Sequence, residues 1–270
     1  MSDARPAPAP APLLGPGDPP AAEIVNPAGG TPLLFLCDHA SNAIPEALAR
    51  LGLDESILRL HVAWDIGAAE VARRLAARFD APLVLSGYSR LVVDCNRRPG
   101  HPASIPAESD GVTIPGNRRL DDDAVERRRA ACFQPYHDAI DRMLAGFAAR
   151  GVVPAVLSVH SFTPVFGGAT RPWHAGVLWN RDPRIPTPLL AALRADPRIV
   201  VGDNEPYDAR DDHGYSMKRH AEAAGLPHAL IEIRQDLIDT RHGAEDWAYR
   251  IGDALSPILA DGALYRVERY

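Results

Sequence analysis

The chain has little cysteine, no surplus of positive charge and no long apolar run, and each shortage closes off a class of protein. It carries three cysteines, an odd number with no metal-type spacing among them. Cys37 and Cys95 fall in predicted strands and Cys132 in a predicted helix, so they read as small core residues of a reducing compartment, not a disulfide framework. Lys and Arg number 29 against 35 Asp and Glu, a net charge of −6 with a pI near 5.9. That balance argues against nucleic acid or an anionic membrane as partner. No apolar segment approaches the roughly 20 residues of a membrane helix. The N-terminus lacks the basic start and apolar core of a signal peptide, so a cytoplasmic location is expected.

What is present is a set of short apolar runs that stop at polar residues. Leu33-Leu34-Phe35-Leu36-Cys37 ends at Asp38-His39, Ala155-Val156-Leu157-Ser158-Val159 ends at His160, and Ala229-Leu230-Ile231 runs into Glu232. Such runs between turn signals read as strands buried on both faces, as in a parallel sheet. Open α/β sheets place their chemistry just beyond the carboxyl ends of these strands. Two histidines and a carboxylate delivered to one rim suggest a metal hydrolase, against the plainer alternative that strand-end histidines only hydrogen-bond.

At 270 residues the chain suffices for one α/β domain with a full core, or two small ones. Residues 1–22, mostly Ala, Pro and Gly, are expected to form a disordered tail. Residues 23–270 are expected to form a single doubly wound α/β domain with a mixed, mostly parallel sheet, because strand and helix patterns alternate without an internal repeat. Helices are predicted at 44–51, at 66–78 with Asp65 as cap, across 121–150 with a break at Pro135, at 188–193 behind Thr187, at 215–224 and at 244–259. Further strands are predicted at 83–85, 91–93, 176–179 and 198–201. The Pro- and Gly-rich stretch 98–119 is too long for a simple connection.

A catalytic zinc takes three protein ligands and leaves a position for water. His39 and His160 are the leading ligands. Asp65 is preferred as the third over Asn42, since neutral amides bind zinc poorly; its plainer reading is a helix cap. His61 could approach the same side. Glu232 lies between Ile231 and Ile233, where a carboxylate needs a cation, a metal-bound water or hydrogen bonds nearby. It is a candidate general base, or else the ion-pair partner of Arg234. Arg90 and Asn96-Arg97-Arg98 cluster at another strand end, suited to bidentate binding of a small dianionic substrate or to a solvated basic turn.

The order of these motifs resembles the N-formylglutamate amidohydrolase family, within the wider group of zinc carboxypeptidase-like hydrolases that includes aspartoacylase. The matching stretches are Asp38-His39-Ala40-Ser41-Asn42, Ala63-Trp64-Asp65-Ile66-Gly67, Arg90 through Arg97, Ser158-Val159-His160-Ser161-Phe162 and Leu230 through Asp236. They span most of residues 33–240. The resemblance implies a zinc-peptidase-like fold, one Zn2+ per chain and hydrolysis of the amide of an N-acylated acidic amino acid. It further implies His39 and His160 as metal ligands, Glu232 as base, Arg90 beside the reacting carbonyl, and Asn96 and Arg97 on a substrate carboxylate. Arg234, in the last of these stretches, is a further candidate substrate contact. Asn42 departs from the pattern, because the wider group carries a ligand glutamate there. The competing readings are a related amidase or peptidase, a cysteine hydrolase using Cys37 with His160, and a carboxylate-binding relative without turnover.

Overall fold

All five residues from Leu33 to Cys37 and all eight from Ala155 to Phe162 are buried, which places both runs at the centre of a sheet covered on two faces. The computed structural model describes residues 12–211 and 213–270. Its main sheet comprises β1 (Ala22–Val25), β2 (Leu33–Cys37), β3 (Leu83–Ser86), β4 (Ala155–Phe162), β5 (Ala175–Leu178), β6 (Val201–Asp203) and β7 (His228–Arg234), in the order β1-β3-β2-β4-β7-β5-β6. β3, β2, β4 and β7 run parallel to one another, and β6 runs parallel to β5. The pairings of β1 with β3 and of β5 with β7 are antiparallel. The sheet is thus mixed and mostly parallel, as the apolar runs predict.

Successive side chains of a strand point to opposite faces, and two core layers follow. Leu33, Phe35, Cys37, Leu157, Val159, Ile231 and Ile233 pack under α1 (Ala68–Arg78), α4 (Pro186–Arg194) and α5 (Arg241–Leu259). Leu34, Leu36, Val84, Val156 and Leu230 face Tyr136, Ala139, Ile140 and Phe147 of α3 (Gln134–Ala149). Each large side chain so buried contributes roughly 1.5–3 kcal/mol. That is what holds the strands that carry the polar residues described below.

Helix α2 (Asp122–Arg128), capped by the Asp121 carboxylate on the Ala124 N–H, passes through a wide turn at Arg129–Phe133 before α3 begins. Pro135 follows directly in the first turn of α3, so the break predicted there takes the form of this widened turn within a continuous helical path. Arg128 is buried and ties this helix to the long 98–119 connection, donating to Asn117 Oδ1 at 2.6 Å and to the Gly116 carbonyl at 2.8 Å. That connection carries a small hairpin, Glu108–Ser109 against Val112–Thr113.

Several local expectations fail for identifiable reasons. The expected helix at 44–51 is a tight turn over Glu46–Gly52, with Ala49, Arg50 and Leu51 in the left-handed region. So short a segment gains little from helix propagation, and Leu51 instead buries itself against Leu58, Ala63, Leu91 and Ile114. Residues 91–93 are buried but form turns, not a strand, and the Val92 N–H returns to the Ser89 carbonyl. Thr187 lies inside α4 and caps nothing. The tail expected over residues 1–22 is too long. Leu13 and Ala21 join the core, the Tyr88 hydroxyl donates to the Pro19 carbonyl, and the Gly87 N–H donates to the Ala21 carbonyl. Residues 1–11 lie outside those described.

Candidate metal centre

Three neighbouring parallel strands, β2, β4 and β7, build the site. His39 lies two residues beyond β2. His160 and Glu232 lie inside β4 and β7, not at their ends, and are direct register partners. Asp65 comes from the turn before α1, where its backbone N–H donates to the His39 carbonyl at 3.0 Å. It does not cap the helix, whose N-cap is Gly67. Gly67 has φ near +80°, and a Cβ there would stand 2.2 Å from the Ile238 carbonyl oxygen. Glycine alone permits that close approach, and it leaves the Asp65 carboxylate free for the cleft.

The three side chains meet around Asp65 Oδ2, which is 2.8 Å from His160 Nδ1 and 3.4 Å from His39 Nδ1. The two imidazole rings stand edge to face with centroids 5.0 Å apart. The opposite nitrogens are each held by a further carboxylate, His39 Nε2 by Asp94 Oδ1 at 2.7 Å and His160 Nε2 by Asp38 Oδ2 at 2.8 Å. One ligand atom each of His39, Asp65 and His160 lie within 4.8 Å of one another, so the group could hold a metal ion. The outer carboxylates suit that role, since metal-binding histidines characteristically donate their remote N–H to a carboxylate. Asp38 is itself fixed by Tyr136, Ser158 and Ser216 hydroxyls, and Asp94 by Arg90 and the Asn96 N–H.

Electrostatics follow from this packing. Burial opposes charge on both histidines, but the surrounding carboxylates outweigh it and raise both pKa values, His160 well above its usual range. Burial would raise the pKa of Asp65, yet the two histidines hold it low. Glu232 goes the other way. It is 5% exposed, burial pushes its pKa up to about 7, and its Oε2 has no hydrogen-bond partner among the described residues. A carboxyl poised near neutrality beside a metal-compatible cluster is equipped to take and release a proton.

His39, Asp65, His160, Glu232, Arg90, Asn96 and Arg97 all line one cleft of about 650 Å³. Arg90 donates to Asp94 at 2.8 Å and lies 3.7 Å from Asp65 Oδ1. Arg234 does not belong to the cleft. Its guanidinium pairs with Asp236 at 2.7 Å and reaches the Trp173 carbonyl, so it is neither a substrate contact nor the partner of Glu232. Asn42 donates to the Leu58 carbonyl at 2.8 Å, and His61 faces Asp110 at 2.9 Å on the cleft wall. Burial, then the Asp65 and Asp38 charges, push the Cys37 thiol far above its usual range, which removes it as a thiolate nucleophile. Sequence reasoning missed Asp38 and Asp94 as orienting groups, although each sits in a motif beside a residue it did select. It missed Arg171, Tyr207 and His213 altogether, because they lie in loops without periodicity.

Fold and site together define an α/β protein with a metal-compatible centre at the carboxyl edge of its central parallel strands. Residues 31–239 match the family described as N-formylglutamate amidohydrolase. A gene product of Agrobacterium tumefaciens of known structure is 36% identical, with a TM-score of 0.86 over 91% of this chain and 99% of that one. An N-formylglutamate amidohydrolase from Ralstonia eutropha shares the fold at 18% identity, with a TM-score of 0.69 over 88% of this chain and 96% of its own. No curated protein matches the chain. The chain belongs to the N-formylglutamate amidohydrolase family, hydrolases that act on an amide bond. No helix among the described residues is long and apolar enough to cross a membrane.

Proposed function

We propose that the protein hydrolyses the amide of an N-acylated acidic amino acid, N-formyl-L-glutamate above all, to the free amino acid and formate. The observation that carries this reading is Glu232, a buried carboxyl in register beside His160, with one oxygen unpartnered among the described residues and a pKa pushed up to about 7. His39, Asp65 and His160 would hold one Zn2+, a fit supported by their N/O donor set and by the carboxylates behind both imidazoles. When bound, zinc supplies Lewis acidity to the substrate carbonyl and lowers the pKa of water toward about 7. Asp94 and Asp38 orient the two imidazoles. Glu232 takes a proton from the attacking water as the new C–O bond forms at the formyl carbon. It returns that proton to the nitrogen as the C–N bond breaks. Arg90, anchored on Asp94, stands to stabilise negative charge on the carbonyl oxygen. Asn96 and Arg97 bind a substrate carboxylate; among the described residues the Arg97 guanidinium donates only to the neighbouring Asn96 carbonyl.

A panel of N-formyl, N-acetyl and N-succinyl amino acids, assayed for release of free amine, tests the reading. Turnover is expected with N-formyl-L-glutamate ahead of bulkier acyl groups. Release of amine from none of them would refute it.

A further inference from the structure

The same cleft contains a third arginine, beside Arg90 and Arg97, that the proposed reaction does not use. Arg171 follows the hairpin Val165–Phe166/Ala169–Thr170 and lines the cleft at 9% exposure. A buried guanidinium is ordinarily paired with a carboxylate, because its desolvation is otherwise uncompensated. Arg90 and Arg184 are paired in this way with Asp94 and Asp182, whereas the buried Arg128 gives both of its terminal nitrogens to Asn117 Oδ1 and backbone carbonyls away from the cleft. Arg171 has no carboxylate partner among the described residues. One of its nitrogens, Nη1, donates to the Tyr207 hydroxyl oxygen at 3.0 Å and reaches the Thr163 carbonyl at 3.5 Å. The guanidinium lies over the rings of Phe166 and Tyr207, each 4.7 Å away, and of Phe162 at 5.8 Å. Tyr207 is in turn stacked on His213, with ring centroids 5.2 Å apart, and both line the cleft.

Aromatic faces stabilise a guanidinium without neutralising it, and a guanidinium presents five N–H donors in a fork that matches a carboxylate. Arg171 is therefore a rigidly braced cation with donors to spare, in a loop separate from the one that carries Arg97. We propose that Arg171 binds a second carboxylate of the substrate, so that the cleft selects N-acyl amino acids with an acidic side chain over those with a neutral one. This rests on the reading above, in which Asn96 and Arg97 take the first carboxylate.

Two measurements on the full chain test it. In calorimetry, the native protein should bind glutarate about 10- to 100-fold more tightly than butyrate, the range for a hydrogen-bonded charge pair. R171M should erase that preference while leaving butyrate binding within about threefold. F166A, at an exposed position of the hairpin, should weaken it in the same direction without threatening the fold. In kinetics, kcat/KM for N-formyl-L-glutamate should fall 10- to 100-fold in R171M, while that for N-formyl-L-glutamine is nearly unchanged. If R171M lowers both substrates equally, or if the native protein binds butyrate as tightly as glutarate, Arg171 only braces the loop and the inference is overturned. If the native protein hydrolyses neither substrate, the proposed activity fails, and the calorimetry alone decides the anion subsite.

Discussion

Replacing Glu232 with Gln separates the needs of catalysis from those of folding. The side chain is 5% exposed, and burial raises its pKa from the ordinary 4.5 to about 7. The folded state therefore holds a proton that the unfolded chain has already released between those values. The stabilising contribution of the protonated form is complete below pH 4.5 and is lost as pH rises through about 7. A shift of this size corresponds to about 3 kcal/mol. Glu232→Gln keeps the shape and removes the titration. In metal-depleted protein the variant should be more stable than the native chain by up to about 3 kcal/mol at pH 8, and indistinguishable from it near pH 4.5. Its turnover should fall about 10²–10⁴-fold with metal content unchanged. Urea denaturation at the two pH values, with steady-state kinetics on the same preparations, measures both. A variant that is no more stable at pH 8, or that keeps turnover within tenfold, would refute the assignment of Glu232 as a buried, proton-exchanging base.

Asp65→Ala should lower zinc affinity by more than the roughly 10- to 100-fold expected for loss of an outer orienting carboxylate, whereas Asn42→Ala should leave it almost intact, since Asn42 is engaged with the Leu58 carbonyl; a competition titration with a chromophoric chelator ranks them. Arg97→Ala should raise the Michaelis constant by an amount equivalent to about 1.5–3 kcal/mol, while Arg90→Ala should act chiefly on turnover, and steady-state kinetics on the two variants distinguishes these effects. His137 is buried, and burial, then the neighbouring charges of His220 and Arg219, lowers its pKa to about 3. Its stability contribution is full above pH 6.5 and is lost as pH falls toward 3, so about 2–3 kcal/mol should disappear between pH 6.5 and 4.5. Denaturation of His137→Gln at those pH values should show a correspondingly flatter profile.

The parts of this architecture that could be read from the chain are those where burial writes a pattern. β2, β4 and β7 are buried almost throughout, so they appear as largely apolar runs, and His39, His160 and Glu232 are among the polar residues that interrupt or follow them. Apolar composition misled at residues 91–93, because burial in a turn looks like burial in a strand. That turn serves the site, since it brings Asp94 back to His39. Asp65 sits where a helix cap would, and only the approach of His160 and His39 distinguishes the two roles. Arg234 stands two residues from Glu232 in an attractive motif, yet Asp236 claims its guanidinium. Arg171 was illegible for the opposite reason: its neighbours Phe162, Phe166 and Tyr207 converge only in space. The Pro- and Gly-rich residues 12–21 lack periodicity, but Leu13 and Ala21 find core positions.

The central claim is that His39, Asp65 and His160 hold a metal on which amide hydrolysis depends. Its most direct test is the rate of N-formyl-L-glutamate hydrolysis in protein stripped by a chelator, verified metal-free by elemental analysis, and then titrated with Zn2+. Activity should vanish on stripping and return linearly, reaching its maximum at one zinc per chain. Full turnover by the verified metal-free protein would contradict the account.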